Sequence, residues 1–194
     1  VGEVEPITGI DINVIEKLFK AANDGFMRER DKAIIAVLID TGIRRRNLHE
    51  IKVSDVDIVR GSIFIKRTKN GTPKTVFLGR KARRYLRAWL RVRNPSGDYD
   101  DLWIANNGRP LSIDGLRLVL ERLQRKAGCT EIKNFHAFRR TFALEAWRNG
   151  VDLYGVRELL GHKTIEETKK YIKATDEDRQ RVHLIASPLD NANK

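Results

Sequence analysis

The chain has 194 residues, 41% of them apolar, which is enough to bury one sizeable core and does not require a second domain. Lysines and arginines number 38 against 26 acidic residues, and the net charge of +12 indicates a polyanionic partner, nucleic acid before a membrane, because no long apolar run is present. A single cysteine excludes an internal disulfide, scattered histidines give no zinc-ligand spacing, and without a signal peptide we expect a cytoplasmic protein.

The N-terminal part begins with an extended, linker-like segment over residues 1–10, followed by two predicted helices. Asp11 caps the first of these, which is amphipathic. The second, over residues 28–40, carries an almost wholly apolar run, as expected of a central element, and is broken at Thr41 and Gly42. Three consecutive arginines follow, Arg44, Arg45 and Arg46. Taken alone, they would be a solvated basic cluster.

Residues 55–78 alternate with a period of two and predict a small antiparallel sheet of three strands. Asn70 and Gly71 are a strong signal for a hairpin turn between the last two strands. Lys69 immediately precedes this turn, and Lys66 and Lys74 lie close to it. On its own, a lysine at a hairpin tip is ordinarily only solubilising.

Two further helices are strongly basic. The first, over residues 80–93, carries seven arginines and lysines, and we interpret its Arg83 and Arg87 as part of a track along the DNA backbone. A solvated face is the alternative. The second runs from about Ser112 to Ala127, and through basic residues such as Arg117 it could lie in a groove of DNA. No base preference can be read from it.

A helix begins at Asn134, which can cap its free amide groups, and closes at Asn149 and Gly150. An apolar stripe of phenylalanines follows one face, and His136 and Arg139 lie together along its flank. The helix therefore holds an arginine at the edge of the core. A single arginine in this position would be interpreted as a snorkelling side chain.

Two shorter helices follow. The first stops at Gly161, so His162 falls in a turn. Thr164 and Glu167 have the spacing of a capping box and open the second, which we expect to continue through Tyr171 with that side chain pointing away from the core positions. Taken singly, His162 is a solvated turn residue and Tyr171 a partly exposed packing residue.

The combination of these residues indicates a protein family more specifically than any one of them does alone. HAFR at residues 136–139, LGH at residues 160–162 and Tyr171 nine residues later form a pattern, and TGIR at residues 41–44 completes it. With these motifs the chain resembles the tyrosine recombinases, also called the phage integrase family. One position departs from the family pattern, because Asn47 stands where an acidic residue is usual.

The resemblance implies an α+β, mainly helical fold: the catalytic domain of a tyrosine recombinase with a small three-stranded antiparallel sheet. We expect a linker-like segment over residues 1–10, a catalytic domain over 11–175 and a C-terminal tail over 176–194. The family's usual N-terminal DNA-clamping domain does not precede these segments, so we expect a fragment of a longer protein.

The tail would expose Val182, Leu184 and Ile185, and the resemblance implies that it docks on a neighbouring subunit in a tetramer on DNA. Packing on its own domain is the alternative.

The function implied is site-specific recombination of double-stranded DNA through a 3′-phosphotyrosine intermediate, with no metal, cofactor or ATP. The implied catalytic residues are Arg44, Lys69, His136, Arg139, His162 and the nucleophile Tyr171. Lys66 and Lys74 are near enough to compete with Lys69 as the catalytic lysine. The predicted DNA-binding residues are Arg45, Arg46, Lys66, Lys74, Arg83, Arg87, Arg117 and Arg140. A relaxing activity like that of type IB topoisomerases and a basic module that binds without cleaving remain alternatives. A metal-dependent nuclease is a weaker one, since no acidic cluster is evident.

Overall fold

The structure is a computed structural model that describes residues 9–23, 27–66, 72–130, 132, 134–172 and 175–191. Within these residues the chain is mainly helical with one small sheet, as the resemblance implied. The helices are α1 (Ile12–Asn23), α2 (Arg28–Thr41), α3 (Arg45–Glu50), α4 (Arg80–Val92), α5 (Ile113–Ala127), α6 (His136–Arg148), α7 (Leu153–Leu160), α8 (Ile165–Lys169), α9 (Asp176–Ala186) and α10 (Pro188–Asn191). No helix of the described part is long and apolar enough to cross a membrane.

The main core forms around α2, whose residues 33–38 are all buried, so the prediction of a central helix is confirmed. Helices α1, α4 and α6 pack against it, and α5 packs on α1 and α3. The indole N–H groups of Trp89 and Trp103 donate to backbone carbonyls, so these large side chains enter the core with their polar atoms satisfied. Truncating a core residue such as Leu38 to alanine should cost about 2–5 kcal/mol.

The three strands are antiparallel in the order β1 (Val56–Asp57), β2 (Ser62–Ile65) and β3 (Lys74–Phe77). They are shorter than the alternating pattern suggested. Ile65 lies opposite Lys74, and Ile63 lies opposite the buried Val76. Because side chains alternate between faces, Lys74 lies on the same inner face as Val76. The predicted turn at Asn70 and Gly71 falls outside the described residues.

A smaller apolar cluster forms behind α7 and α8. Its buried members are Ala143, Val156 and Leu160, and Tyr171 and Phe142 are among the half-buried side chains that pack on it. This cluster supports α7 and Tyr171, whereas Phe135 and Phe138 at the start of α6 belong to the main core. The two apolar clusters therefore divide the described core into a large part around α2 and a small part under α7.

The predicted helix through Tyr171 is wrong in its length, because α8 ends at Lys169. The amides of Tyr171 and Ile172 each donate to the carbonyl three residues earlier, which tightens the chain into a turn. Residues 102–104 form no strand in this described stretch, where Ile104 makes an isolated bridge to Pro110. The exposed tail is confirmed: Val182, Leu184 and Ile185 on α9 are exposed.

Candidate active site

Gly42 ends α2 and begins the site. Its φ of +57° is left-handed, and a Cβ there would lie 3.0 Å from side-chain carbons of both Leu160 and Phe142. Any other residue would therefore be both strained and crowded. The Gly42 carbonyl faces the site and accepts a hydrogen bond from Arg139 Nη1 at 2.7 Å. Arg44 follows two residues later, in extended backbone just before α3.

Arg139 is the central side chain of the site and is only 2% exposed. Its Nη2 donates to the Leu160 carbonyl at 2.7 Å, so two backbone carbonyls from different helices fix the guanidinium. Within the described residues its buried Nε has no hydrogen-bond partner, and no carboxylate forms an ion pair with it. Burial and the nearby Arg44 lower the pKa of Arg139 to about 10, while Tyr171 and the charge of Glu167 oppose the shift. A buried cation without an ion-paired carboxylate is suited to an incoming anion.

His162 lies in the turn after α7, where Gly161 has a φ of +65°. Its Nδ1 is 2.8 Å from Thr168 Oγ1, and its ring stacks on Tyr171 with centroids 5.4 Å apart. Burial lowers the pKa of His162 to about 3, and the cations of Arg139, Arg44 and Lys74 add to the effect. The imidazole is therefore neutral at neutral pH, a hydrogen-bonding group and not a cation.

His136 is the first residue of α6, and its amide donates to Asn134 Oδ1 at 2.9 Å, as the predicted cap requires. Burial, followed by the charges of Arg139 and Arg44, lowers the pKa of His136, so its neutral form is favoured as a proton acceptor. The histidine borders a cleft of about 260 Å³ between α6 and the start of α3. The lining residues are Ile43, Arg44, Arg45, Asn134, Phe135, His136 and Arg139.

The three candidate lysines have different surroundings. Lys69 lies outside the described residues. Lys66 is exposed and forms an ion pair with Asp55 at 2.7 Å. Lys74 enters the site, where its Nζ donates to the Leu159 carbonyl at 3.0 Å. Burial, then the charges of Arg139 and Arg44, lower the pKa of Lys74 to about 8. The sequence predicted this lysine as a DNA contact and as an alternative to Lys69, and its spacing of two from Val76 in an alternating strand was a signal that it faces inward.

The other predicted DNA-binding residues are spread over α3, α4, α5 and α6, and several are already bonded within the chain. Their intramolecular partners are the Phe135 ring for Arg45, Glu50 for Arg46, the Val59 carbonyl for Arg83 and Glu121 for Arg117. Arg87 is exposed and Arg140 half-buried. Exposed ion pairs are worth only about 0–1 kcal/mol, so a phosphate can replace such partners. In the described part of the chain no group of three His, Cys, Asp or Glu side chains could hold a metal ion.

The described site therefore combines one tyrosine, two neutral histidines and three cations, and a cleft opens beside Arg44, His136 and Arg139. These are the groups that phosphoryl transfer to a tyrosine requires. Comparison with known proteins agrees: the model of the phage integrase family matches residues 9–178, so the chain belongs to that family. The predicted family is confirmed.

Individual relatives support the same assignment. The tyrosine recombinase XerC of Lactobacillus leichmannii is 31% identical over 163 residues, which cover 81% of this chain and 55% of the relative. A crystal structure of XerA recombinase superposes with a TM-score of 0.81 at 26% identity, covering 93% of this chain and 66% of that one. XerH recombinase, solved in a post-cleavage complex with a palindromic difH substrate, superposes with a TM-score of 0.72 at 26% identity. The match covers 95% of this chain and 54% of the XerH chain. The chain thus spans little more than half the length of the curated relatives it matches, and its predicted fold class is confirmed.

Proposed function

We propose that this chain is the catalytic part of a site-specific recombinase that acts on double-stranded DNA. The observation that carries the proposal is Arg139, a buried cation with no carboxylate partner in the described residues, beside Tyr171 and Arg44. A phosphodiester supplies the missing negative charge. The net charge of +12 and the DNA-bound XerH relative support the same substrate.

In the proposed reaction the phenolic oxygen of Tyr171 attacks the scissile phosphorus, and the bond from phosphorus to the 5′-oxygen breaks. The products are a 3′-phosphotyrosine and a free 5′-hydroxyl. Arg44 and Arg139 stabilise the negative charge on the non-bridging oxygens, for which planar guanidinium groups are well suited. Attack by a 5′-hydroxyl of another strand reverses the step and rejoins the DNA. Since the phosphodiester bond energy is kept in the phosphotyrosine, the reaction needs no ATP.

Two proton transfers accompany cleavage. His136, whose neutral form is favoured, assists removal of the tyrosine proton, and His162 hydrogen-bonds a phosphate oxygen. We keep Lys69 as the donor of the proton that goes to the departing 5′-oxygen, because in the family pattern the catalytic lysine precedes the predicted hairpin turn. Arg45, which lines the cleft, and predicted basic residues outside it, such as Arg46 and Arg87, would contact the DNA backbone.

The division into a linker-like segment (1–10), a catalytic domain (11–175) and a tail (176–194) is part of this proposal. In it, the tail docks on a neighbouring subunit. The exposure of Val182, Leu184 and Ile185 on α9 supports this role, because three apolar side chains on one short helix favour a partner. Cross-linking on DNA should give a tetramer for the full chain, and replacing these three residues by serine should leave mainly lower species. An unchanged tetramer would argue for packing on the chain's own domain.

The nucleophile is tested with nicked DNA that carries a candidate site. The wild-type chain should give an SDS-resistant covalent complex, also in excess EDTA, and Tyr171→Phe should give none while its DNA affinity stays nearly unchanged. Tyr154→Phe is the matched control, because Tyr154 is an exposed tyrosine on α7. Loss of the complex in EDTA, or an adduct in Tyr171→Phe at the wild-type level, contradicts the proposal. Joining of two different duplexes separates a recombinase from a relaxing topoisomerase.

A further inference from the structure

The C-terminal end of α7 holds the site together through its last four backbone carbonyls, which no helical amide can satisfy. The Arg157 and Glu158 carbonyls accept from the amides of His162 and Gly161, both at 3.1 Å. The other two accept from cations. Lys74 Nζ bonds the Leu159 carbonyl at 3.0 Å, and Arg139 Nη2 bonds the Leu160 carbonyl at 2.7 Å. This use of cations fits the partial negative charge at a helix C-terminus.

Lys74 reaches α7 from a distant part of the chain. It begins on the inner face of β3, and its side chain passes Gly161, where a Cβ would lie only 3.3 Å from Lys74 Nζ. The glycine thus leaves room for the lysine. The bond to Leu159 joins residues 85 positions apart, and it connects the strand that follows the hairpin with the turn that carries His162.

We propose that Lys74 is a positioning residue for DNA cleavage: by bonding the Leu159 carbonyl, it fixes the His162 turn against β3 before DNA binds. This inference rests on the proposed function. Its geometry differs from that expected of the proton donor, because Nζ is held by a carbonyl and the residue lies within a strand and not at the hairpin tip.

The charges around the turn agree with this role. His162 faces the cations of Arg139, Arg44 and Lys74, and its ring also contacts Tyr171 and Thr168. Lys74 in turn faces Arg139 and Arg44, and with a pKa of about 8 it stays mainly protonated at neutral pH. Removing the lysine therefore has two consequences: the turn loses its connection to β3, and His162 becomes easier to protonate.

The kinetic test compares Lys74→Met, Lys74→Arg and the control Lys17→Met in single-turnover cleavage of nicked DNA. Lys17 is an exposed lysine on α1. Lys74→Met should slow cleavage by about 10- to 100-fold, since small misplacements in an active site have effects of this size. Its DNA affinity should stay within about threefold of wild type, because one phosphate contact at most is affected. Lys74→Arg should recover most of the rate, since a guanidinium can also donate to the Leu159 carbonyl. A wild-type rate in Lys74→Met would overturn the proposal.

The chemical test uses DNA with a 5′-bridging phosphorothiolate, whose thiolate leaves without protonation. A mispositioned site stays slow on this substrate, so Lys74→Met should not be rescued, whereas Lys69→Ala should be. Rescue of Lys74→Met would make Lys74 the proton donor and overturn the positioning role.

The third readout needs neither DNA nor cleavage. In NMR titrations carried from about pH 8 down to about pH 3, His162 of Lys74→Met should become protonated about 0.5 to 1 pH unit above wild-type His162, because a nearby cation is lost. Lys74→Arg keeps the cation and should leave the pKa unchanged. If Lys74→Met left the pKa of His162 unchanged, the inference would fail even if the enzyme were active. If the wild type formed no covalent adduct with DNA, the proposed function would fail. The titration would still test the contact of Lys74 with the His162 turn in that case.

Discussion

Two arginines among the described residues are almost completely buried, and their surroundings are opposite. Arg30 on α2 is 3% exposed, and its guanidinium bonds the Asp31 carboxylate at 2.8 Å and the Ile104 carbonyl at 2.8 Å. Arg139 on α6 is 2% exposed, and its partners among the described residues are two backbone carbonyls and the Tyr171 side chain, with no ion-paired carboxylate. Burial lowers the pKa of both, but Asp31 opposes the shift at Arg30, while the cation of Arg44 enlarges it at Arg139.

The difference separates a structural charge from a functional one. A buried cation beside a carboxylate is neutralised at folding and has nothing left to offer a ligand. A buried cation held by carbonyls keeps most of its charge, which is unfavourable for the isolated chain and favourable once a phosphate arrives. We therefore expect mutations in the Arg30 region to change stability, and mutations around Arg139 to change activity.

The largest expected effect is at Asp31, which is 1% exposed and also bonded by Arg122. Asp31→Asn leaves buried Arg30 without its counter-charge, and we expect a loss of about 3–5 kcal/mol in the free energy of unfolding. Urea unfolding measures it, with the exposed Asp98→Asn as control. Cleavage by the remaining folded protein should be unchanged. If Asp31→Asn lost no more unfolding free energy than the control, the Arg30–Asp31 pair would not have the structural role assigned to it.

The next effect is at Arg139. Arg139→Met should slow covalent-complex formation by about 10²- to 10³-fold, as for the loss of one charge-stabilising donor. The free energy of unfolding should change by less than about 1 kcal/mol, because the lost carbonyl hydrogen bonds are offset by removal of an unneutralised buried charge. Arg28→Met, at an exposed arginine on α2, is the control. Destabilisation as large as that of Asp31→Asn would show that both arginines are structural.

Gly42→Ala should have a smaller effect, which appears in both the stability of the fold and the rate of cleavage. The left-handed φ of +57° costs an alanine about 1–2 kcal/mol, and crowding against Leu160 and Phe142 adds to it. Gly128→Ala is a matched control, since its φ is +64° but no atom lies within 4 Å of the added Cβ. Gly42→Ala should lose more stability than this control in urea unfolding. It should also cleave more slowly, because its carbonyl positions Arg139. Equal losses for the two variants would argue against the crowding.

The smallest expected effect concerns a third, partly exposed arginine. Arg148 bonds the buried Asp178 at 2.9 Å, which connects α6 with the first turn of α9. Arg148 holds the pKa of Asp178 below its ordinary value of 3.8. The stabilisation is therefore fully present above the ordinary value and is lost as the pH falls through the lowered one.

Asp178→Asn removes both the ion pair and part of the cap of α9 and should cost about 1 kcal/mol at neutral pH. The difference in unfolding free energy between wild type and variant should disappear in strong acid. A difference that persisted there would mean that the carboxylate's charge is not its source.

Much of this site could be predicted from the sequence, because its chemical groups are side chains in fixed local patterns. The flank position of His136 and Arg139 follows from helical spacing, and Gly161 ends α7 so that His162 falls in a turn. The central helix α2 and the three-strand sheet follow from apolar runs and alternation. What could not be predicted is the set of acceptors that hold the cations.

The Gly42, Leu159 and Leu160 carbonyls belong to the backbone, and no residue type marks them as acceptors. Which side chain reaches them depends on how α6, α7 and β3 pack, and the sequence does not specify that packing locally. The end of α8 was missed for a related reason. Its residue pattern continues through Tyr171, but a helix of this length gains little from further turns, and the chain instead bends so that the tyrosine packs on the small apolar cluster.

The small apolar cluster under α7 has a consequence for thermal behaviour. Ala143, Val156 and Leu160 bury far less surface than the core around α2, yet they carry the helix end that holds both Arg139 and Lys74. Segments with little buried apolar surface open at lower free energy than the rest of a domain. On warming, the cations of the proposed active site should therefore lose their arrangement in a subglobal transition while α2 and its neighbours are still folded, so that inactivation precedes melting.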